Sequence, residues 1–154
     1  MLKSRFIYSN YIPSILDRIG TVVDDLIRCL QNDCGGIYDE TVFDLRVILN
    51  EVLINAIIHG NCEDASKNVK IDAGITEDGD IFLIIEDEGA GYDFSEFCSR
   101  QKFLSETDYM NENGRGIMII RGLCDKVKVN KKGNKIVIVK KMDKSAPQMD
   151  LSGL

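Results

Sequence analysis

Apolar residues recur along this chain with two periods, and the changes from one period to the other divide it into elements. Arg5 to Tyr11 mixes aromatic, apolar and small polar side chains, which predicts a short edge strand. Pro13 then suits a first helical turn, with Ile12 extended before it. Ile15, Leu16, Ile19, Val22, Val23, Leu26, Ile27 and Leu30 follow helical spacing and predict a helix to about Gln31, broken at Cys34-Gly35-Gly36. A second helical pattern starts near Asp39, a fair cap, and stops at Gly60. Val42, Leu45, Leu49, Val52, Leu53 and Ala56 cluster on one side of it, and Val47, Ile54 and Ile58 lie on another. A helix apolar on most sides is expected to be buried.

Beyond Lys67 the period becomes two. Val69, Ile71 and Ala73 alternate with polar residues, and Ile81, Leu83 and Ile85 follow after the hairpin signal Asp78-Gly79-Asp80. Tyr92 to Asn113 has no strong pattern, which points to a lid or binding loop. Asn113-Gly114-Arg115-Gly116 then feeds a short apolar helix through Cys124. Val127 and Val129 start a strand, Lys131-Lys132-Gly133-Asn134 turns, and Ile136 to Val139 make the last strand. The order is strand, helix, helix, strand, strand, lid, helix, strand, strand. It predicts an α/β (α+β) two-layer sandwich, with a mostly antiparallel mixed sheet and three helices on one face. Residues 1–141 are expected to form a single domain and 142–154 a flexible C-terminal tail.

Composition narrows the class. The 154 residues are 44% hydrophobic and 29% charged, which excludes a disordered chain, and the formal charge of -6 argues against nonspecific binding to nucleic acid or an anionic membrane. No apolar run approaches the ~20 residues that span a bilayer. No apolar leader follows Lys3 and Arg5. Cys29, Cys34, Cys62, Cys98 and Cys124 are scattered and odd in number, as expected of reduced thiols in a cytoplasmic protein.

Three polar or glycine-rich clusters interrupt the apolar pattern. Glu51, Asn55 and His59 recur every four residues and would form one stripe on the second helix. Buried, that stripe would need a ligand, an ion or an internal network. The second cluster is Asp87, Gly89 and Gly91, and the third is Gly114, Arg115 and Gly116. No glycine run ends in Gly-Lys-Ser or Gly-Lys-Thr, and none opens a helix after a first parallel strand, so neither a P-loop nor a dinucleotide fingerprint is present.

In this order and spacing the clusters resemble the N box and the two glycine boxes of the GHKL superfamily of ATPases and kinases. Over residues 5 to 141 the chain is most similar to bacterial anti-sigma factors that are also serine-protein kinases, the RsbW and SpoIIAB type. The resemblance implies a Bergerat-type fold that binds ATP and Mg²⁺. By the same resemblance Glu51 is the general base for a serine or threonine hydroxyl, and the Asn55 amide oxygen holds Mg²⁺. His59 lies near the phosphates or in a supporting network, or serves only as a helix-end histidine. Asp87 accepts a hydrogen bond from the adenine amino group, with Gly89 and Gly91 letting the backbone close on the base. Gly114, Gly116 and Ile117 cradle phosphate with backbone N–H groups, and Arg115 reaches the terminal phosphate or a substrate carboxylate. Asn61 and Lys67 are further candidates to face the phosphates. Where relatives often carry a threonine before the last strand, Asn134 is expected to supply the equivalent donor.

The function implied is an ATP-dependent serine/threonine kinase. It would phosphorylate an anti-sigma-factor antagonist, sequester a sigma factor and form a homodimer, with no direct role for nucleic acid or membrane. The alternative is an ATP-binding protein-interaction module without phosphotransfer. An isolated histidine-kinase domain is disfavoured, because His59 is the single histidine and lies in the N box.

Overall fold

A computed structural model describes residues 4–90 and 120–142. Its strands are β1 (Arg5–Pro13), β2 (Asn68–Ile75), β3 (Ile81–Glu86), β4 (Lys126–Val129) and β5 (Lys135–Lys140). Helices α1 (Ile19–Cys34) and α2 (Asp39–Asn55) fill the first crossover, and residues 120–123 are helical before β4. The sheet order is β1-β2-β3-β5-β4, antiparallel at each pairing.

Register explains which face is dry. Ala73 pairs Leu83, which pairs Ile138, which pairs Val127. Ile71, Ile85, Ile136 and Val129 form the next row. With a side-chain period of two, both rows point to one face. There they meet Val22, Val23, Leu26, Ile27 and Leu30 of α1, Leu45, Leu49, Val52 and Leu53 of α2, and Ile120. Each fully buried Leu or Ile contributes about 1.5–3 kcal/mol, so this layer contact dominates the fold's stability. The expected two-layer sandwich with helices on one face is the architecture observed. Met142, at the expected start of the tail, packs against this core, and residues 143–154 lie outside the described residues.

Both long helices depart from expectation. Pro13 ends β1, paired with Asn68, instead of opening a helix. Ser14 then donates from its N–H and its hydroxyl to the Lys67 carbonyl, at 3.2 and 2.7 Å, holding the chain to the sheet. The helix therefore starts later. Leu16–Arg18 is a 3₁₀ turn, and Ile15 and Leu16 of the expected stripe are exposed. α1 also runs past Gln31 to Cys34, where Gly35 takes the left-handed conformation (φ 72°) and its N–H bonds the Gln31 carbonyl.

The second change concerns α2. Tyr38, not Asp39, is the N-cap, and Asp39 and Glu40 occupy the first turn, where their charge favours the helix dipole. Only one face of α2 is fully buried. Val47, Ile54 and Ile58 are half-buried, and Phe43 is 66% exposed. After Asn55 the helix widens into a π turn, Ala56–Gly60, closed by the Asn61 N–H on the Ala56 carbonyl at 2.8 Å.

Candidate functional site

The polar stripe of α2 holds for one turn. Glu51 and Asn55 lie four residues apart in regular α-helix, and both are half-buried. His59 falls inside the π turn and is exposed. The wider turn carries it off the α-helical register that would align it with Asn55. The expectation that this stripe is buried is thus corrected. Its groups reach water, so desolvation alone does not demand a partner for them.

The chain then reverses sharply. Cys62 and Glu63 both adopt left-handed backbone, with φ of 53° and 56°, and the Glu63 N–H bonds the Ile57 carbonyl at 2.8 Å. This reversal turns Asn61 inward. Its side chain is completely buried. Its amide donates to Ser14 Oγ at 2.8 Å and to the Asn68 carbonyl at 3.0 Å, and its Oδ1 accepts the Glu88 N–H at 2.7 Å. Asn61 is therefore a bracket between loops, with both of its amide N–H groups and its oxygen engaged within the protein. Lys67 gives its carbonyl to Ser14, while its side-chain charge acts on Asp87.

The first and second clusters meet through glycines. Asp87 leaves the end of β3, and its carboxyl lies directly against the α-carbon of Gly60. A Cβ at position 60 would overlap that carboxyl, and a Cβ at Gly89 would overlap the Gly60 carbonyl. Only hydrogen at both positions permits this approach. The Gly89 N–H donates to Asp87 Oδ1 at 2.8 Å, and no other donor reaches this carboxylate among the described residues. Burial raises the Asp87 pKa above the ordinary aspartate range, against the opposing pull of the Gly89 N–H and of Lys132. Asp87 is thus a half-buried carboxylate with acceptor capacity to spare.

The β4–β5 turn completes the setting. The Asp87 N–H donates to the Asn134 carbonyl, and Asn134 Nδ2 donates to the Asp87 carbonyl, both at 2.9 Å. The Asn130 amide donates to Asn134 Oδ1 at 2.8 Å, which fixes which way Asn134 points. Asn134 therefore supplies a side-chain donor to Asp87, and it goes to the main-chain carbonyl of the aspartate and not to its carboxylate.

Gly91, Gly114, Arg115, Gly116 and Ile117 lie outside the described residues. Among the described residues no group of three His, Cys, Asp or Glu could hold a metal ion. An Mg²⁺ on Asn55 would therefore take its remaining oxygens from phosphate and water, a shell that Mg²⁺ commonly keeps. The glycine-lined space at Asp87 and the carboxylate oxygen that no donor among the described residues reaches fit a ligand with an N–H donor, as adenine has. Neither the role of Ser14 nor the room that Gly60 makes for Asp87 is legible in the sequence. A single buried serine gives no periodic signal, and a glycine at a helix end reads first as a stop.

The family model for the histidine kinase-like ATPase domain matches residues 12–140. An anti-sigma F factor of Clostridium perfringens (strain SM101 / Type A) is 34% identical over 107 residues, covering 68% of this chain and 75% of that protein. Serine-protein kinase RsbW of Bacillus subtilis (strain 168) is 33% identical over 101 residues, covering 62% of this chain and 60% of that protein. Among solved structures, the blue-light activated histidine kinase of Erythrobacter litoralis EL346 superposes with a TM-score of 0.52 at 18% identity. That superposition covers 84% of this chain and 41% of the other, and it speaks to the fold alone. No helix among the described residues is long and apolar enough to cross a membrane.

Proposed function

The chain belongs to the histidine kinase-like ATPase family and is homologous to bacterial anti-sigma F factors, and from that premise we propose that it is an ATP-dependent serine/threonine protein kinase of a partner-switching pathway. Its substrate is an anti-sigma-factor antagonist, and it sequesters a sigma factor when that antagonist is not available. It acts in the cytoplasm as a homodimer.

The observation that carries the reading is the seat of Asp87. Its carboxylate rests on Gly60 and Gly89, and among the described residues one oxygen is engaged and the other has no donor. An ionised carboxylate only accepts hydrogen bonds, so it selects adenine, which offers an amino group there, over guanine. On α2 the Asn55 amide oxygen is the protein ligand for Mg²⁺. Glu51, one turn earlier, takes the proton of the acceptor hydroxyl. Bound ATP supplies the phosphoryl group that the acceptor oxygen receives as ADP leaves. Gly91, Gly114, Gly116 and Ile117 contribute backbone around the nucleotide, Arg115 its terminal-phosphate contact, and His59 a supporting contact near the phosphates. A dianionic phosphate on the antagonist then weakens docking against this acidic chain, whose formal charge is -6.

Calorimetric titration of Mg-ATP, with Asp87→Ala as control, tests the site. Saturable binding that requires Mg²⁺ and Asp87 supports the reading, and no binding by folded protein at millimolar ATP sinks it. Glu51→Ala then separates kinase from binder. A kinase loses phosphotransfer to its antagonist by orders of magnitude while still binding ATP.

A further inference from the structure

The peptide bond between Asp87 and Glu88 presents two polar groups, and an asparagine side chain grips each one. Asn134 Nδ2 donates to the carbonyl oxygen of Asp87 at 2.9 Å. Asn61 Oδ1 accepts the N–H of Glu88 at 2.7 Å. The two asparagines come from opposite sides, one from the β4–β5 turn and one from the loop after the π turn. Each is itself fixed. Asn130 holds Asn134, while Ser14 and the Asn68 carbonyl use both N–H bonds of the Asn61 amide. The Glu88 carboxylate also accepts the Asn68 N–H, so the residue after the gripped peptide is tied at a second point.

A peptide plane held at both ends cannot rotate, and its orientation sets ψ of residue 87 and φ of residue 88. With ψ fixed, the Cα–Cβ bond of Asp87 is fixed relative to the clamped peptide plane, and the bond from the Asp87 N–H to the Asn134 carbonyl holds the preceding peptide as well. We infer that Asn61 and Asn134 are positioning residues that clamp the Asp87–Glu88 peptide, and that this clamp sets the nucleotide base selectivity of the site. The inference rests on the nucleotide-binding reading above and goes beyond it. It assigns discrimination between bases to two side chains that bond backbone groups, the Ser14 hydroxyl and the Asn130 amide, and not the Asp87 carboxylate. Without the clamp, Asp87 keeps its carboxylate but loses its aim, and a hydrogen bond that is off line by tens of degrees weakens steeply.

The test compares ATP with ITP, which carries a carbonyl oxygen in place of the adenine amino group. Each is titrated calorimetrically with Mg²⁺ into wild type, Asn61→Ala, Asn134→Ala and Asp87→Asn. Wild type is expected to prefer ATP. In each clamp variant the ATP/ITP affinity ratio is expected to fall about tenfold, toward that of Asp87→Asn, mainly through loss of ATP affinity. Inorganic tripolyphosphate affinity is expected to stay unchanged. In nucleotide-free protein, hydrogen exchange of the Glu88 amide is expected to accelerate in Asn61→Ala beyond what its melting temperature accounts for.

A parallel loss of ATP and ITP affinity overturns the inference, because that is the signature of general loosening. So does an unchanged ratio in variants that bind. Wild type that binds neither nucleotide overturns the functional reading and the inference together, and the two failures are thereby told apart. Should buried Asn61→Ala fail to fold, Asn134→Ala at its half-buried turn position carries the same comparison.

Discussion

At position 60 one hydrogen decides where Asp87 can sit. A methyl group there would occupy the volume of the Asp87 carboxyl. Gly60→Ala therefore has to push the carboxyl away or open the π turn, and overpacking of this kind costs about 1–3 kcal/mol. We expect Mg-ATP affinity to drop at least ~10-fold, in proportion to the displaced contact, with a smaller loss of melting temperature. Calorimetry beside a thermal melt checks this, and full affinity in Gly60→Ala would show that the base does not contact Asp87. The aspartate itself makes a prediction in pH. Burial raises its pKa in the folded state. Between the unfolded and folded pKa values the folded chain binds more protons, so stability falls as pH rises through that window. Above it, the ionised carboxylate is a standing cost to the empty protein. Asp87→Asn removes that cost while keeping an acceptor for the Gly89 N–H. Nucleotide-free Asp87→Asn should melt above wild type at neutral pH, and the gap should close as pH falls below the ordinary aspartate range. A gap that widens in acid would contradict the sign. Asp87 was legible from the chain because Asp-Glu-Gly ends an apolar strand abruptly. Asn61 was legible only as a polar residue after a helix, since its burial depends on Ser14 and Glu88, 47 and 27 residues away.

Between elements, one ion pair among the described residues differs from the rest. Lys140 of β5 bonds Asp44 of α2 at 3.0 Å, with side chains 16% and 19% exposed, and also donates to the Leu123 carbonyl at 2.7 Å. It joins the sheet, α2 and the helical turn 120–123 in one place. The Arg46–Asp24 pair, between α2 and α1, is 44% and 54% exposed. Screening leaves an exposed pair worth about 0–1 kcal/mol, whereas removing one partner of a buried pair leaves an uncompensated charge, with losses of about 3–5 kcal/mol at full burial. Lys140→Met should therefore lower unfolding stability by roughly 1–3 kcal/mol in denaturant titrations, discounted for partial exposure, and Arg46→Ala by less than ~1 kcal/mol. Equal losses would mean that the buried geometry adds nothing. The strands were readable at this scale because period-two alternation is imposed by a one-sided core. The start of α1 was not, because proline is compatible with both a helix's first turn and the end of an edge strand. Pairing of Pro13 with Asn68 decided between them. The π turn left no trace either, since five residues are too few to shift a 3.6-residue pattern.

The whole molecule converges on the Asp87 turn. It leaves central strand β3, is gripped by Asn134 beside β5, and reaches Asn68 at the start of β2 and Ser14 at the end of β1 through Asn61. A ligand held at Asp87 is therefore coupled to four of the five strands and, through Gly60, to the end of α2. Such a ligand cannot stay bound when the sheet opens, so its binding energy must appear as global stability. At a free concentration of about 100 times its dissociation constant, Mg-ATP should add ~2.7 kcal/mol to unfolding. The denaturant midpoint should rise with its slope unchanged. Asp87→Asn should show no such rise, although its empty form is the more stable at neutral pH. Asp87→Asn thus raises the midpoint of the empty protein while abolishing its rise with Mg-ATP, a combination that no general change in foldedness would produce. If Mg-ATP binds in calorimetry yet leaves the midpoint unmoved, the Asp87 turn opens locally before the sheet does. The bonds from Asn61 and Asn134 would then be too weak to tie the site to the core, and Glu88 amide exchange would report the same local opening.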